Sequence, residues 1–180
     1  MRQRLKKARD QRGFTLVELL VVIAIIGILA AIVAPNAFKA IEKGKVAAAE
    51  ADYKAIKAAV LNYYTDVGDW PRVIGDGSSL ETQIFVTGEN GGGWTKPDGW
   101  NGPYLERWPS KNPWGGYYKY VYWSDNTSPW GTTARWIELS SVPGVNENPP
   151  TGAAKQLQDD LGEEIVKFDG SLVKILVSRD

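Results

Sequence analysis

With no histidine and no cysteine anywhere in the chain, Ser-His triads, imidazole-bound zinc, thiolate metal sites and disulfides are excluded. Carboxylates remain as the groups that could do chemistry. Asp159-Asp160 and Glu163-Glu164 are paired, but neighbours in sequence do not face each other across a substrate. General acid-base catalysis is therefore not expected, and the chain reads as a non-enzyme. Calcium is the metal such oxygen donors would suit. Asn146, Glu147, Asn148, Asp159 and Asp160 flank one irregular region, and calcium takes roughly six to eight oxygen ligands from loops. No recognisable ligand spacing joins them, and no other cofactor is expected.

The most informative carboxylate is Glu18, near the start of the apolar run "RGFTLVELLVVIAIIGILAAIVAP", residues 12–35. A charge in hydrocarbon costs roughly 2.5 to 3.5 kcal/mol at mid-helix and less near an end. One reading is an interfacial glutamate that reaches headgroup water. The other gives it a cationic partner: Glu18 follows Phe14 by four residues, and a cut between Gly13 and Phe14 would create a free α-amine there. In low dielectric the two charges attract, within one helix or between neighbouring helices.

The element that must position this pair is a helix. From Phe14 to Ala34 only Thr15 and Glu18 are not apolar. A helix of that length is about 31 Å long, enough to cross a bilayer. Arg2, Arg4, Lys6, Lys7, Arg9 and Arg12 stand before it against Asp10 alone, so the positive-inside rule keeps the N-terminus cytoplasmic and sends the rest outward. A secretory signal peptide would have a shorter apolar region and a small-x-small cleavage site, whereas Ile32 and Ala34 hold those places before Pro35. A plain single-pass anchor explains the length but leaves Glu18 unexplained.

This stretch closely resembles the prepilin N-terminal signature of type IV pilins and type II secretion pseudopilins: a basic leader, Gly13, an apolar Phe14, Glu18, about twenty apolar residues and Pro35. The resemblance implies cleavage after Gly13 by a membrane prepilin peptidase and N-methylation of the new N-terminus, Phe14. It implies that Glu18 pairs with the amine of a neighbouring subunit while a homopolymeric helical filament grows from an inner-membrane assembly platform. Before assembly the partner of the apolar segment would be membrane lipid; afterwards the filament would be periplasmic or extracellular. A second stretch, "GPYLERWPSKNPWGGYYKY", residues 102–120, resembles the "GPYL...P..PWG..Y.Y" run of major pseudopilins and related pilins. Major pilin and major pseudopilin both remain open at this point.

The rest of the chain divides as an α+β protein. Residues 1–13 form the leader and 14–35 the transmembrane or filament-core helix. Gly27 and Pro35 both weaken that helix, Pro35 by lacking the amide that would bond to Ala31, so a kink or melted turn is expected between them. In filaments of the resembling family this stretch often loses helicity, which assigns Gly27 and Pro35, with Glu18, to assembly. Val46, Ala49, Tyr53, Ile56, Val60, Tyr63 and Val67 recur at steps of three and four, which predicts an amphipathic helix over 36–68 ending at Gly68. Residues 69–114 form a Gly, Pro and Trp-rich connector. An antiparallel sheet head is expected over 115–180, with strands at 117–123 and 134–139. A hairpin is expected with Asp169-Gly170 as its two-residue turn, and "TGAAKQLQDDLG" as a short helix or turn before it. The expected whole is a long helix packed on a small antiparallel sheet, the pilin lollipop.

Eight tryptophans fall beyond the helix, Trp70, Trp94, Trp100, Trp108 and Trp114 in the connector and Trp123, Trp130 and Trp136 in the head. They suit core and subunit packing; the alternative is a filament-borne adhesin that stacks polysaccharide on them. Nucleic acid is not expected, because acidic and basic side chains balance at 21 each and only Lys96, Arg107, Lys111, Lys119 and Arg135 lie near the aromatics.

Overall fold

The computed structural model describes residues 14–71, 84–88, 96–122, 128–131 and 133–179. The leader with Gly13, and two of the tryptophans, Trp94 and Trp123, lie outside these residues. The chain forms two compact units, one up to Ile41 and the other from Glu42 onward.

Helix α1, Leu16–Val67, belongs to both units. In its second half Val46, Ala49, Tyr53, Ile56, Ala59, Val60 and Tyr63 are buried, the one-sided stripe that steps of three and four produce. Each large apolar side chain withdrawn from water here stabilises the unit by about 1.5 to 3 kcal/mol. The helix stops at Gly68, whose left-handed backbone lets its N–H donate to the Tyr64 carbonyl at 2.9 Å. Of the kink or melted turn expected between Gly27 and Pro35, the melted turn is absent: α1 is helical through both. Pro35 forfeits one backbone bond, and Leu29, Ala30, Ala31 and Ala34, four of the seven residues that separate it from Gly27, are good helix formers.

Four strands form one antiparallel sheet in the order β1-β2-β4-β3: β1 Tyr118–Val121, β2 Ala134–Ser140, β3 Val166–Asp169 and β4 Leu172–Arg179. Helix α2, Gly152–Leu161, lies between β2 and β3 in sequence. Strand β1 is shorter than the 117–123 predicted. The β3-β4 turn also differs by one residue. Asp169 pairs with Leu172, so the connecting pair is Gly170-Ser171 and not Asp169-Gly170. Glycine at the first position, with φ 55°, is what a type II′ connection requires. The shift keeps Asp169 on the strand, where its carboxylate accepts from Lys174 Nζ at 2.7 Å.

Alternation along the strands makes two faces. Tyr118, Tyr120, Ile137, Leu139, Val173, Ile175 and Val166 join the α1 stripe and Ala153, Ala154 and Leu157 of α2 in one core. The other face carries a compact polar cluster. Lys174, only 2% exposed, lies between Asp169 and Glu138, and Glu138 Oε1 accepts from the Trp136 indole at 2.9 Å.

Candidate functional site

Thr15 and Glu18 close the start of α1 on each other. The Thr15 hydroxyl accepts from the Glu18 amide at 3.1 Å, while Glu18 Oε2 accepts from the Thr15 amide and hydroxyl, both at 2.8 Å. The Thr15 carbonyl takes the first backbone bond, from Leu19 N at 3.2 Å. This is a capping box, which satisfies amides that a helix start otherwise leaves without partners. Glu18 therefore has a structural task within its own chain. The Thr-x-x-Glu spacing that signals it is legible in the sequence, although the reading above passed over Thr15.

Beyond the cap, the first unit offers apolar surface without a core. Every large apolar side chain from Phe14 to Ile41 is exposed, from 45% at Val22 to 86% at Leu16. Among the described residues α1 is the one helix long and apolar enough to cross a membrane. Gly27 and Pro35 both lie in this segment, and nothing approaches within 4 Å of where a Gly27 side chain would stand.

In the second unit the "GPYLERWPSKNPWGGYYKY" stretch fastens itself to α1 by three aromatic donors. Trp114 Nε1 donates to Glu42 Oε1 at 2.7 Å, the Tyr118 hydroxyl to Asp52 Oδ2 at 2.8 Å and the Tyr104 hydroxyl to Asp66 Oδ2 at 2.9 Å. A fourth bond runs the other way, from the Tyr53 hydroxyl to the Leu176 carbonyl at 2.7 Å. Burial, with Asp52 alongside, pushes the Tyr118 hydroxyl well above the usual phenol range, and burial pushes Tyr53 up to about 12. Asn112 organises the loop. Its Nδ2 donates to Ser140 O at 2.6 Å, and its Oδ1 accepts from the amides of Trp114 and Gly116, both at 3.0 Å. The aromatic side of these fasteners and Asn112 stand in one family-like run, but Glu42, Asp52 and Asp66 carry no local sequence signal.

The calcium candidates fall in two places. Asn146, Glu147 and Asn148 precede α2, with Asn146 and Glu147 lining an open hollow of about 500 Å³. Asp159 and Asp160 occupy the last turn of α2. Glu147 Oε2 accepts from the Thr151 hydroxyl at 2.6 Å and Asp159 is paired with Lys155. Among the described residues no three His, Cys, Asp or Glu side chains gather in one place.

The described tryptophans turn their polar edges inward. Trp100 Nε1 donates to Ile84 O at 2.9 Å, Trp108 Nε1 to Tyr118 O at 3.4 Å and Trp130 Nε1 to Glu164 O at 2.7 Å. Trp114 and Trp136 donate to glutamates as described above. Trp70 is buried, stacked on Tyr64 with ring centroids 4.2 Å apart, and the Arg135 guanidinium lies 4.4 Å from its ring centre. Trp70 and Trp136 are buried, while Trp100, Trp108, Trp114 and Trp130 are half-buried, so these side chains bind the head together and four of them keep part of their surface accessible.

Comparison with known proteins follows the same division. The prokaryotic N-terminal methylation motif matches residues 8–34, and the PilW C-terminal family matches residues 40–133. The type II secretion system core protein G of Pseudomonas aeruginosa is 37% identical over 114 residues, covering 63% of this chain and 75% of that protein. The Vibrio cholerae core protein G is 36% identical over 120 residues, 65% of this chain and 75% of that one. Fimbrial protein EcpC of Eikenella corrodens is 48% identical over 61 residues, which is 34% of this chain and 40% of its own. The solved structure of the major type IV pilin PilA1 from Clostridium difficile shares the fold, with TM-score 0.51 and 20% identity over 78% of this chain and 99% of that one. Capped apolar helix, fastened sheet and sequence relatives coincide: the chain belongs to the type IV pilin and type II secretion pseudopilin family.

Proposed function

We propose that this chain is the structural subunit of a helical filament, stored in the inner membrane and polymerised through the apolar half of α1. The observation that carries the reading is the contrast between the two units. From Glu42 on, apolar side chains close into one core, whereas from Phe14 to Ile41 they are all exposed. Such a surface is stable in lipid or against copies of itself and not in water. Within the family, the core protein G relatives cover 63% to 65% of the chain, against 34% for the fimbrial protein. That reach favours the major pseudopilin of a secretion system over a pilus subunit.

Processing completes the reading. A prepilin peptidase cuts after Gly13, Phe14 becomes the methylated N-terminus, and its amine pairs with Glu18 of a neighbour. Intact mass of assembled material tests this: the chain should begin at Phe14 and carry one added methyl group. A filament whose subunits keep Met1 would defeat it. A chain beginning at Lys39 should be soluble and monomeric, because it lacks the apolar surface but keeps the core. Filaments formed by that shortened chain alone would show that the apolar segment is not the driver.

A further inference from the structure

We propose that Trp114 and Glu42 form a clip that sets where the supported part of α1 begins. The helix is weak on both sides of Glu42. Pro35 lacks an amide to donate, all residues from Phe14 to Ile41 are exposed, and Gly44 lies two positions beyond Glu42 with open space around it. A helical stretch without packing is marginal in water, and glycine lowers its propensity further. The first α1 side chain buried by the head is Val46. Unwinding that starts near Pro35 would therefore run past Gly44 to Val46 unless something held the turn between.

The clip is built to hold it. The indole N–H meets a carboxylate oxygen at 2.7 Å, a charge-assisted bond. Trp114 is not free to follow a moving helix, because Asn112, 4% exposed, anchors its amide and ties the loop to Ser140 at the end of β2. The compact second unit starts at Glu42, four residues before its first buried apolar side chain. The consequence is mechanical: residues before Glu42 can leave the helix while those from Glu42 to Val46 stay in it. A residue passing from helix to extended chain lengthens the segment by about 1.8 Å, so the clip limits how far α1 can lengthen. This does not depend on which filament the subunit builds.

The test is amide hydrogen exchange on the full chain in detergent micelles, comparing residues 43–47 with 56–63. In the unaltered protein 43–47 should exchange more slowly than 36–40. Trp114→Phe keeps the ring but not the donor, and should speed exchange at 43–47 about tenfold while 56–63 stay unchanged. Glu42→Leu should match it, and the double variant should add nothing further, since both remove one bond. Glu42→Gln keeps an acceptor and should fall between. Lys45→Gln, which removes only the 3.9 Å ion pair to Glu42, should leave 43–47 as they were. Unchanged exchange in Trp114→Phe, additive effects in the double variant, or equal loosening at 56–63 would each overturn the clip.

Discussion

At the scale of the residue, Glu18 carries two tasks that can be separated. One is the cap on Thr15 within its own helix; the other, proposed above, is the charge offered to a neighbour's Phe14 amine. Glutamine serves a capping box as glutamate does, so Glu18→Gln keeps the first task and removes the second. If capping were the whole role, Glu18→Gln would assemble normally and only Glu18→Ala would fail. If the charge sets register between subunits, the amine is left as an uncompensated cation among apolar side chains, a penalty of several kcal/mol. The expected outcome is that membranes accumulate cleaved Glu18→Gln subunits with few filaments, measured by shearing and quantifying the released protein. Thr15→Val gives the converse variant. It retains the charge and loses the hydroxyl of the cap, at a cost of about 1 kcal/mol to the helix start, and should assemble better than Glu18→Gln.

At the scale of the element, the sheet is held differently on its two faces. The face toward α1 is apolar, whereas the opposite face depends on Lys174, Glu138 and Asp169. Glu138 receives the Trp136 indole and lies 3.9 Å from Lys119 and 4.0 Å from Lys174. Glu138→Leu would leave the buried indole N–H without its acceptor and Lys174 with Asp169, whose side chain is 59% exposed. A loss of about 3 kcal/mol is expected, read as a lower urea midpoint with unchanged slope. A loss below about 0.5 kcal/mol would mean the cluster is as weak as a surface pair. What the sequence discloses follows the same divide. The α1 stripe, α2 and the β2 and β4 positions were legible because burial on one face imposes a period. The β3-β4 turn was misplaced because Asp-Gly and Gly-Ser both make two-residue connections, and the choice between them rests on where Asp169 finds Lys174. The donors Tyr104, Trp114 and Tyr118 stood in a recognisable run, yet their acceptors on α1 lie 38, 72 and 66 residues away. No local pattern can announce a pairing of that span. The helix runs on through Pro35 instead of melting because propensity counts what each residue costs, while the helix survives on its neighbours.

At the scale of the molecule, the second unit must carry its own stability, because the first has no buried side chains among its described residues. Two of the hydroxyls that fasten it, Tyr53 and Tyr118, are held neutral, Tyr53 with its pKa pushed up to about 12. The direction of the pH effect follows from linkage. Above about pH 10 the unfolded chain releases its phenolic protons while the native state still holds these two. The unfolded state then binds fewer protons than the native one, so stability falls as pH rises from about 10 toward the native Tyr53 value near 12, and is fully present below 10. Lysines also titrate in this range, so the wild-type curve alone does not isolate the tyrosines. The Tyr53→Phe, Tyr118→Phe double variant does. It lacks both hydroxyl bonds and should begin less stable at neutral pH, by about 1 kcal/mol for each bond, but it has no phenolic protons to keep at these positions. Thermal midpoints followed by tryptophan fluorescence on the full chain in detergent should therefore differ most at pH 7 to 9 and converge between pH 10 and 12. Curves that stay parallel to pH 12 would show that Tyr53 and Tyr118 ionise as readily in the folded head as in the unfolded chain, and that the fasteners to α1 are open to water.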